Sequence, residues 1–282
     1  MKTLHKRLLI IAVIALAAGF TIYRSPLASV IYSVLHREGS SHGVFVPFLA
    51  GYFLWLKSDI IRKIELRYDY AGIVLIIFGV IFPVFNIGAF QIHFLGFIVF
   101  IAGLIFTLFG RKIFKEISFP LFFLITMTPL PEAFYETLAN YTRHVSFGGS
   151  LKIISLLGIP YHKEGWLIQL PNALLQVAIG CSGIRYLISY VVFGLAYAWL
   201  FRNTTWGRLL IVSLTIPISL VASVLRLTAI FVMTYKIGPY WSQPRPHIFI
   251  SWIVFFLMLI LCIASDQYFQ KRRHFRKLAK QY

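Results

Sequence analysis

Three side chains able to do chemistry stand in the apolar C-terminal half of this 282-residue chain: Cys181 in "IGCSGIRYL", Arg226 in "VASVLRLTAIF" and His247 in "PRPHIFISW". Together a thiol, a guanidinium and an imidazole suit nucleophilic acyl transfer. The thiolate attacks a peptide carbonyl, the imidazole takes and returns protons, and the cation stabilises the thiolate or the oxyanion. Cys181 suits the first role because it sits near a predicted helix N-terminus, with Arg185 one turn on along the same face, and both features favour a thiolate. Each residue also has a plainer reading. A Cys in an apolar span packs as a small hydrophobe, as Cys262 in "LMLILCIAS" is expected to do. A boundary His is often merely interfacial, and Arg185 could snorkel or hold a loop carbonyl. Arg226 resists such a reading, because an intramembrane arginine is costly and marks a functional site by default. No Asp or Glu falls deep in the apolar stretches, so a buried carboxylate pair cannot do the acid–base work.

The elements that must position these groups are membrane helices. The chain is 59% hydrophobic, 17% aromatic and only 13% charged, with a mean hydropathy of +0.80, which excludes an ordinary soluble domain and a disordered one. The net charge of +18 would suggest nucleic-acid binding in a soluble protein; here it is explained by basic loops. Two cysteines, Cys181 and Cys262, make no disulfide framework. The hydropathy pattern predicts an all-α polytopic membrane protein with eight transmembrane helices, near residues 8–23, 43–57, 70–90, 92–110, 114–130, 179–201, 208–235 and 248–268. The first is read as a retained span, since "YRSPLASV" is a poor signal-peptide cleavage site. On this topology 18 Lys and Arg gather on one side and 7 on the other, with Arg185 and Arg226 inside spans. That asymmetry puts both termini in the cytoplasm. Cys181 and His247 then begin the sixth and eighth spans at their outer ends, and Arg226 lies about 14 Å inside the outer end of the seventh.

The longest stretch between spans, 131–178, is expected on the outer face. "PEAFYETLANYTRHVSFGGSLKIISLLG" has helical spacing and suggests one or two helices at the interface. "EGWLIQLPNALLQVAI" places two short apolar runs around the turn pair Pro171-Asn172, predicting a small β-hairpin that leads into Cys181. No internal repeat is evident, and residues 1–282 read as one integral membrane domain, ending in a basic cytoplasmic tail, 269–282, suited to anionic lipid.

At these residues the sequence resembles the exosortase/archaeosortase family of multi-pass membrane cysteine transpeptidases. The resemblance is carried in order by "SHGVFVPFLAGYFLW", "FPLFFLITMTPLPEAFYETL" and "GIPYHKEGWLIQLPNALLQVAIGCSGIRYL", then by Arg226 and His247. It implies a Cys181 nucleophile, an Arg226 cation and a His247 general acid/base on the outer face of the bacterial inner membrane. Arg185, Ser182, Gly183, His42 and Gln176 are implied as supporting or substrate-binding residues, and neither cofactor nor metal is implied. The implied partners are exported proteins with a C-terminal sorting signal: a motif such as Pro-Glu-Pro, a transmembrane helix and a basic cluster. Cleavage near the motif would release the signal and pass the acyl group to an acceptor nucleophile. Gln176, Ser223 and Ser251 stand where the family often has Glu, Asn and Gly, departures that bear on the subfamily and its cognate motif. The alternative from a different class is a non-enzymatic membrane component of a polysaccharide or protein export assembly, in which the same cations hold helices together or bind lipid. A solute transporter is a weaker third reading, since no paired repeats are seen.

Overall fold

The computed structural model describes residues 2–36, 40–85 and 89–278. Arg37, Glu38 and Lys280 lie outside the described residues, as do the side chains of Cys181 and of the basic tail. The chain divides into two compact units, Met1–Glu132 and Ala133–Tyr282.

The first unit holds α1 (Lys2–His36), α2 (Phe45–Leu56), α3 (Ser58–Arg62), α4 (Gly72–Val84) and α5 (Phe90–Phe123). α1 is longer than the predicted 8–23 span, because the helix continues through Arg24 and Pro26. α5 is broken at Gly110, where a φ of +79° is open to a residue without a Cβ. The predicted boundary between the fourth and fifth spans therefore falls at Gly110. α4 and α5 pack backbone to backbone, with Gly72 and Gly79 set against Gly103 and Gly96. Such small-residue contacts replace the hydrophobic drive that lipid cannot supply. Buried Tyr23 joins α1 to this pair, its hydroxyl donating to the Gly79 carbonyl at 2.7 Å.

The second unit holds α6 (Glu132–Leu156), strands β1 (His162–Glu164), β2 (Leu167–Leu170) and β3 (Ala173–Gln176), then α7 (Ile184–Phe201), α8 (Thr205–Lys236) and α9 (Pro244–Leu278). The three strands form one antiparallel sheet in sequential order. The predicted hairpin is its β2–β3 half, with Leu170 opposite Ala173 across the Pro171-Asn172 turn; β1, paired to β2, adds a strand the sequence pattern had not marked.

Among the described residues four helices are long and apolar enough to cross a membrane: Phe90–Met127, Ile184–Phe201, Thr205–Lys236 and Arg245–Tyr268. α2 and α4, with 12 and 13 residues, extend about 20 Å or less, short of a hydrocarbon core of about 30 Å. The fold is thus mostly helical with a small sheet, and four rather than eight segments meet the length test.

Candidate functional site

The site is built in the second unit, where α6, the hairpin and α8 share a core of Phe147, Leu151, Ile154, Ile168, Leu170, Val177, Leu227 and Phe231. This core fixes the chain leading to Cys181 at both ends of the hairpin. At its tip, the Asn172 side-chain amide donates to the carbonyls of Thr234 and Tyr235 at 2.7 and 3.2 Å. Those carbonyls lie in the last turn of α8, where a helix leaves its acceptors without intrahelical donors. At its exit, Arg143 of α6 donates to the Val177 carbonyl. The guanidinium, only 7% exposed, lies over the Trp166 ring at 3.9 Å.

Beyond Val177 the chain makes a 3-10 turn, Ile179–Cys181, and then a left-handed step at Gly183 with φ +86° before α7 starts at Ile184. The sequence pattern had run the helix through from 179; the structure ends that continuity at Gly183. Cys181 consequently precedes the α7 N-terminus by two turn residues, and the helical same-face relation expected between Cys181 and Arg185 does not hold across the break. Ser182, wholly buried, accepts from the Ile184 amide through its hydroxyl at 3.3 Å, and its carbonyl accepts from the Ser146 hydroxyl of α6 at 3.2 Å. A Cβ at Gly183 would collide with the Ser223 side chain of α8. This close approach brings the Cys181 turn to α8 three residues before Arg226.

Arg226 is 3% exposed, so its charge is enclosed by protein instead of facing lipid. Its guanidinium stands over the Tyr186 ring of α7 at 4.8 Å, and Tyr186 in turn packs on Phe255 of α9 at 5.9 Å. Neighbouring Tyr190 donates to the Phe255 carbonyl at 2.8 Å. One aromatic layer therefore ties α7, α8 and α9 together beside Arg226. His247, half-buried in the first turn of α9, lies within the electrostatic reach of both Arg226 and Arg185. Its carbonyl accepts from the Ser251 hydroxyl at 2.6 Å. The structure thus gathers Arg185, Arg226 and His247, and sets the backbone of Cys181, Ser182 and Gly183 at the head of α7.

The sequence profile of the transmembrane exosortase family matches residues 32–264 of this chain. The chain belongs to the transmembrane exosortase family. No curated protein and no solved structure matches it. The family match takes in every residue singled out from the sequence, and with the apolar helices it makes this exosortase a multi-pass membrane protein.

The other two implied supporting residues, His42 and Gln176, sit in a 3-10 turn and at a strand end. His42 belongs to the first unit, buried in the 3-10 turn Ser41–Val44, with its Nε2 at 3.1 Å from the Thr126 carbonyl. Gln176 ends β3 opposite Leu167 and is exposed. Sequence reasoning missed Tyr186 and Arg143. Tyr186 adjoins Arg185 within the motif itself, and the pairing of a ring with a buried cation was its available signal. Arg143 lies on the buried stripe of α6 that runs through Ala139, Thr142, Ser146, Phe147 and Ser150, so helical periodicity could have marked it as an enclosed cation.

Proposed function

We propose that this exosortase is a membrane-embedded cysteine transpeptidase in which Cys181, Arg226 and His247 act on the C-terminal sorting signals of exported proteins. The single observation that carries the reading is the enclosure of Arg226, a cation sealed in protein within reach of His247, on a helix whose Ser223 abuts Gly183 beside the Cys181 turn. In the proposed reaction His247 takes the thiol proton as the Cys181 sulfur bonds to the scissile carbonyl carbon. Arg226 stabilises the charge on the sulfur or on the carbonyl oxygen. The carbon–nitrogen bond then breaks, His247 returns the proton to the leaving amine, and a thioester remains on Cys181. An acceptor nucleophile, or water, resolves it. Arg185 adds positive charge beside the same imidazole, and Ser182 and Gly183 set the turn that presents the thiol.

The reading places the protein in a bacterial inner membrane with both termini cytoplasmic, in keeping with the distribution of Lys and Arg. It counts eight membrane passes, α2, α4 and the two halves of α5 among them. The substrate helix lies laterally against α7–α9 and presents a Pro-Glu-Pro-like motif at the surface beside Cys181. The test is processing of a secreted protein carrying such a motif, an apolar helix and a basic end, co-expressed with the wild-type or Cys181→Ala enzyme. Loss of processing with the variant still inserted is expected; wild-type processing by Cys181→Ala would sink the mechanism.

A further inference from the structure

α6 reaches the chain on both sides of Cys181. Val177 and Trp166 face each other where the hairpin ends, and the Val177 amide donates to the Trp166 carbonyl at 2.9 Å. A hydrogen-bonded pair in an antiparallel ladder ordinarily exchanges two such bonds. Among the described residues the return bond from the Trp166 amide is not found, and Arg143 of α6 supplies the donor to the Val177 carbonyl instead. The ladder therefore ends on a side chain, and the main chain leaves the sheet there for the Cys181 turn. Val177 is buried, so its carbonyl would be costly to leave without a donor.

The second hold lies one helical turn further along α6. Ser146, three residues after Arg143 and so on the same face of the helix, donates to the Ser182 carbonyl at 3.2 Å. The two gripped carbonyls stand four residues before Cys181 and one residue after it. Trp166 backs the first hold, lying under the Arg143 guanidinium at 3.9 Å and edge-on to the His144 ring at 4.5 Å. α6 is itself seated closely on α8: a Cβ at Gly149 would strike Val224, two residues before Arg226. One helix thus carries both holds on the Cys181 turn and a tight contact with the helix that bears Arg226.

We propose that Arg143 and Ser146 are positioning residues for the acyl transfer, fixing the Cys181 turn against α8 so that the thiol and Arg226 keep one separation. The inference rests on the reading of Cys181 as the nucleophile. Both residues act through the main chain at 177 and 182. The step they govern is the attack on the scissile carbonyl, where a misplacement of about 1 Å costs roughly a hundredfold in rate. Their loss therefore lowers kcat and leaves KM in place.

The test is steady-state processing of a sorting-signal substrate by the full chain in nanodiscs, for Ser146→Ala, Ser150→Ala, Arg143→Met and Arg143→Lys, each with its thermal midpoint and with Cys181→Ala beside them. Ser150 is the internal control: like Ser146 it is wholly buried on α6, but its hydroxyl donates at 2.8 Å to the Phe147 carbonyl of the same helix and not to the turn. Ser146→Ala should lose about fivefold in kcat, the weight of one hydrogen bond, with KM unchanged, and Ser150→Ala should keep the wild-type kcat. Arg143→Met should lose about thirtyfold, the weight of a bond from a charged donor. Arg143→Lys, which keeps a charged donor for the Val177 carbonyl, should recover most of that loss. If Arg143→Met fails to fold, the two serines decide the matter. Full kcat in Ser146→Ala, equal losses at Ser146 and Ser150, or a raised KM at unchanged kcat, each beside an inactive Cys181→Ala, would overturn this inference alone. Wild-type processing by Cys181→Ala would overturn the catalytic reading and the inference with it.

Discussion

Arg202 and Arg226 are both largely enclosed within the helices of the second unit, and the protein treats them in opposite ways. Arg202 meets Asp266, a carboxylate that Tyr197 and Gln270 also satisfy, in a pair whose side chains are 16% and 11% exposed. Arg226 lies on α8 with its guanidinium over the face of Tyr186. An ion pair neutralises a cation and anchors two helices; an aromatic face holds a cation in place and leaves its charge intact. In the proposed reaction Arg202 serves architecture and Arg226 serves chemistry.

The sharpest way to break the contrast is conservative substitution at each arginine. Arg226→Lys keeps the charge and loses the planar fork, so processing of a sorting-signal substrate should fall by roughly a hundredfold or more, close to the loss in Arg226→Ala. Arg202→Lys should process normally at permissive temperature. Equal effects at the two positions would mean that both arginines are architectural.

Gly183→Ala tests whether the Cys181 turn must meet α8 ahead of Arg226. The new Cβ collides with Ser223 and imposes a left-handed conformation on a residue that disfavours it by roughly 1–2 kcal/mol. Processing should fall more than tenfold, and Gly183→Ala with Ser223→Gly should regain only the part due to the collision. Full activity of the single variant would separate the turn from the arginine.

Asp266→Asn strands Arg202 in a mostly buried position, and removing one partner of such a pair costs about 3 kcal/mol. The expected outcome is a lower thermal midpoint in detergent with processing retained below it. A loss of processing without a loss of stability would place chemistry at this end of the helices.

The smallest effect is expected at Tyr186. Tyr186→Leu removes the face under Arg226, a contact of about 1–2 kcal/mol when desolvated, and should slow turnover about tenfold with little change in KM. Tyr186→Phe should restore it, since the ring and not the hydroxyl meets the guanidinium.

The parts of this arrangement that the sequence revealed are those where one residue type is costly or distinctive. Arg226 and His247 stood out because charge and imidazole are rare in apolar runs, and the β2–β3 hairpin because Pro171-Asn172 punctuates two short apolar segments. The break at Gly183 was hidden, since Ile179-Gly180-Cys181 already supplies an apolar start to the run and a glycine's φ leaves no trace in the sequence. Span bounds were legible only coarsely: 43–57 matches the helical run Ser41–Leu56, whereas α1 extends well beyond 8–23, since a polar residue ends an apolar run without ending a helix. Arg143 counted as one more outer-face charge, whereas in the fold its guanidinium lies over Trp166 and ties down the strand exit before Cys181.

The central claim is that Cys181 forms a covalent bond with the substrate, and trapping that bond tests it most directly. Wild-type enzyme incubated in membranes with a protein ending in a Pro-Glu-Pro-type signal, then quenched in acid, should carry the cleaved substrate as a hydroxylamine-labile adduct mapped by mass spectrometry to Cys181. The adduct should accumulate when acceptor is limiting and vanish in Cys181→Ser. Cleavage that proceeds at the wild-type rate in Cys181→Ala, with no such adduct in the wild type, would contradict the account.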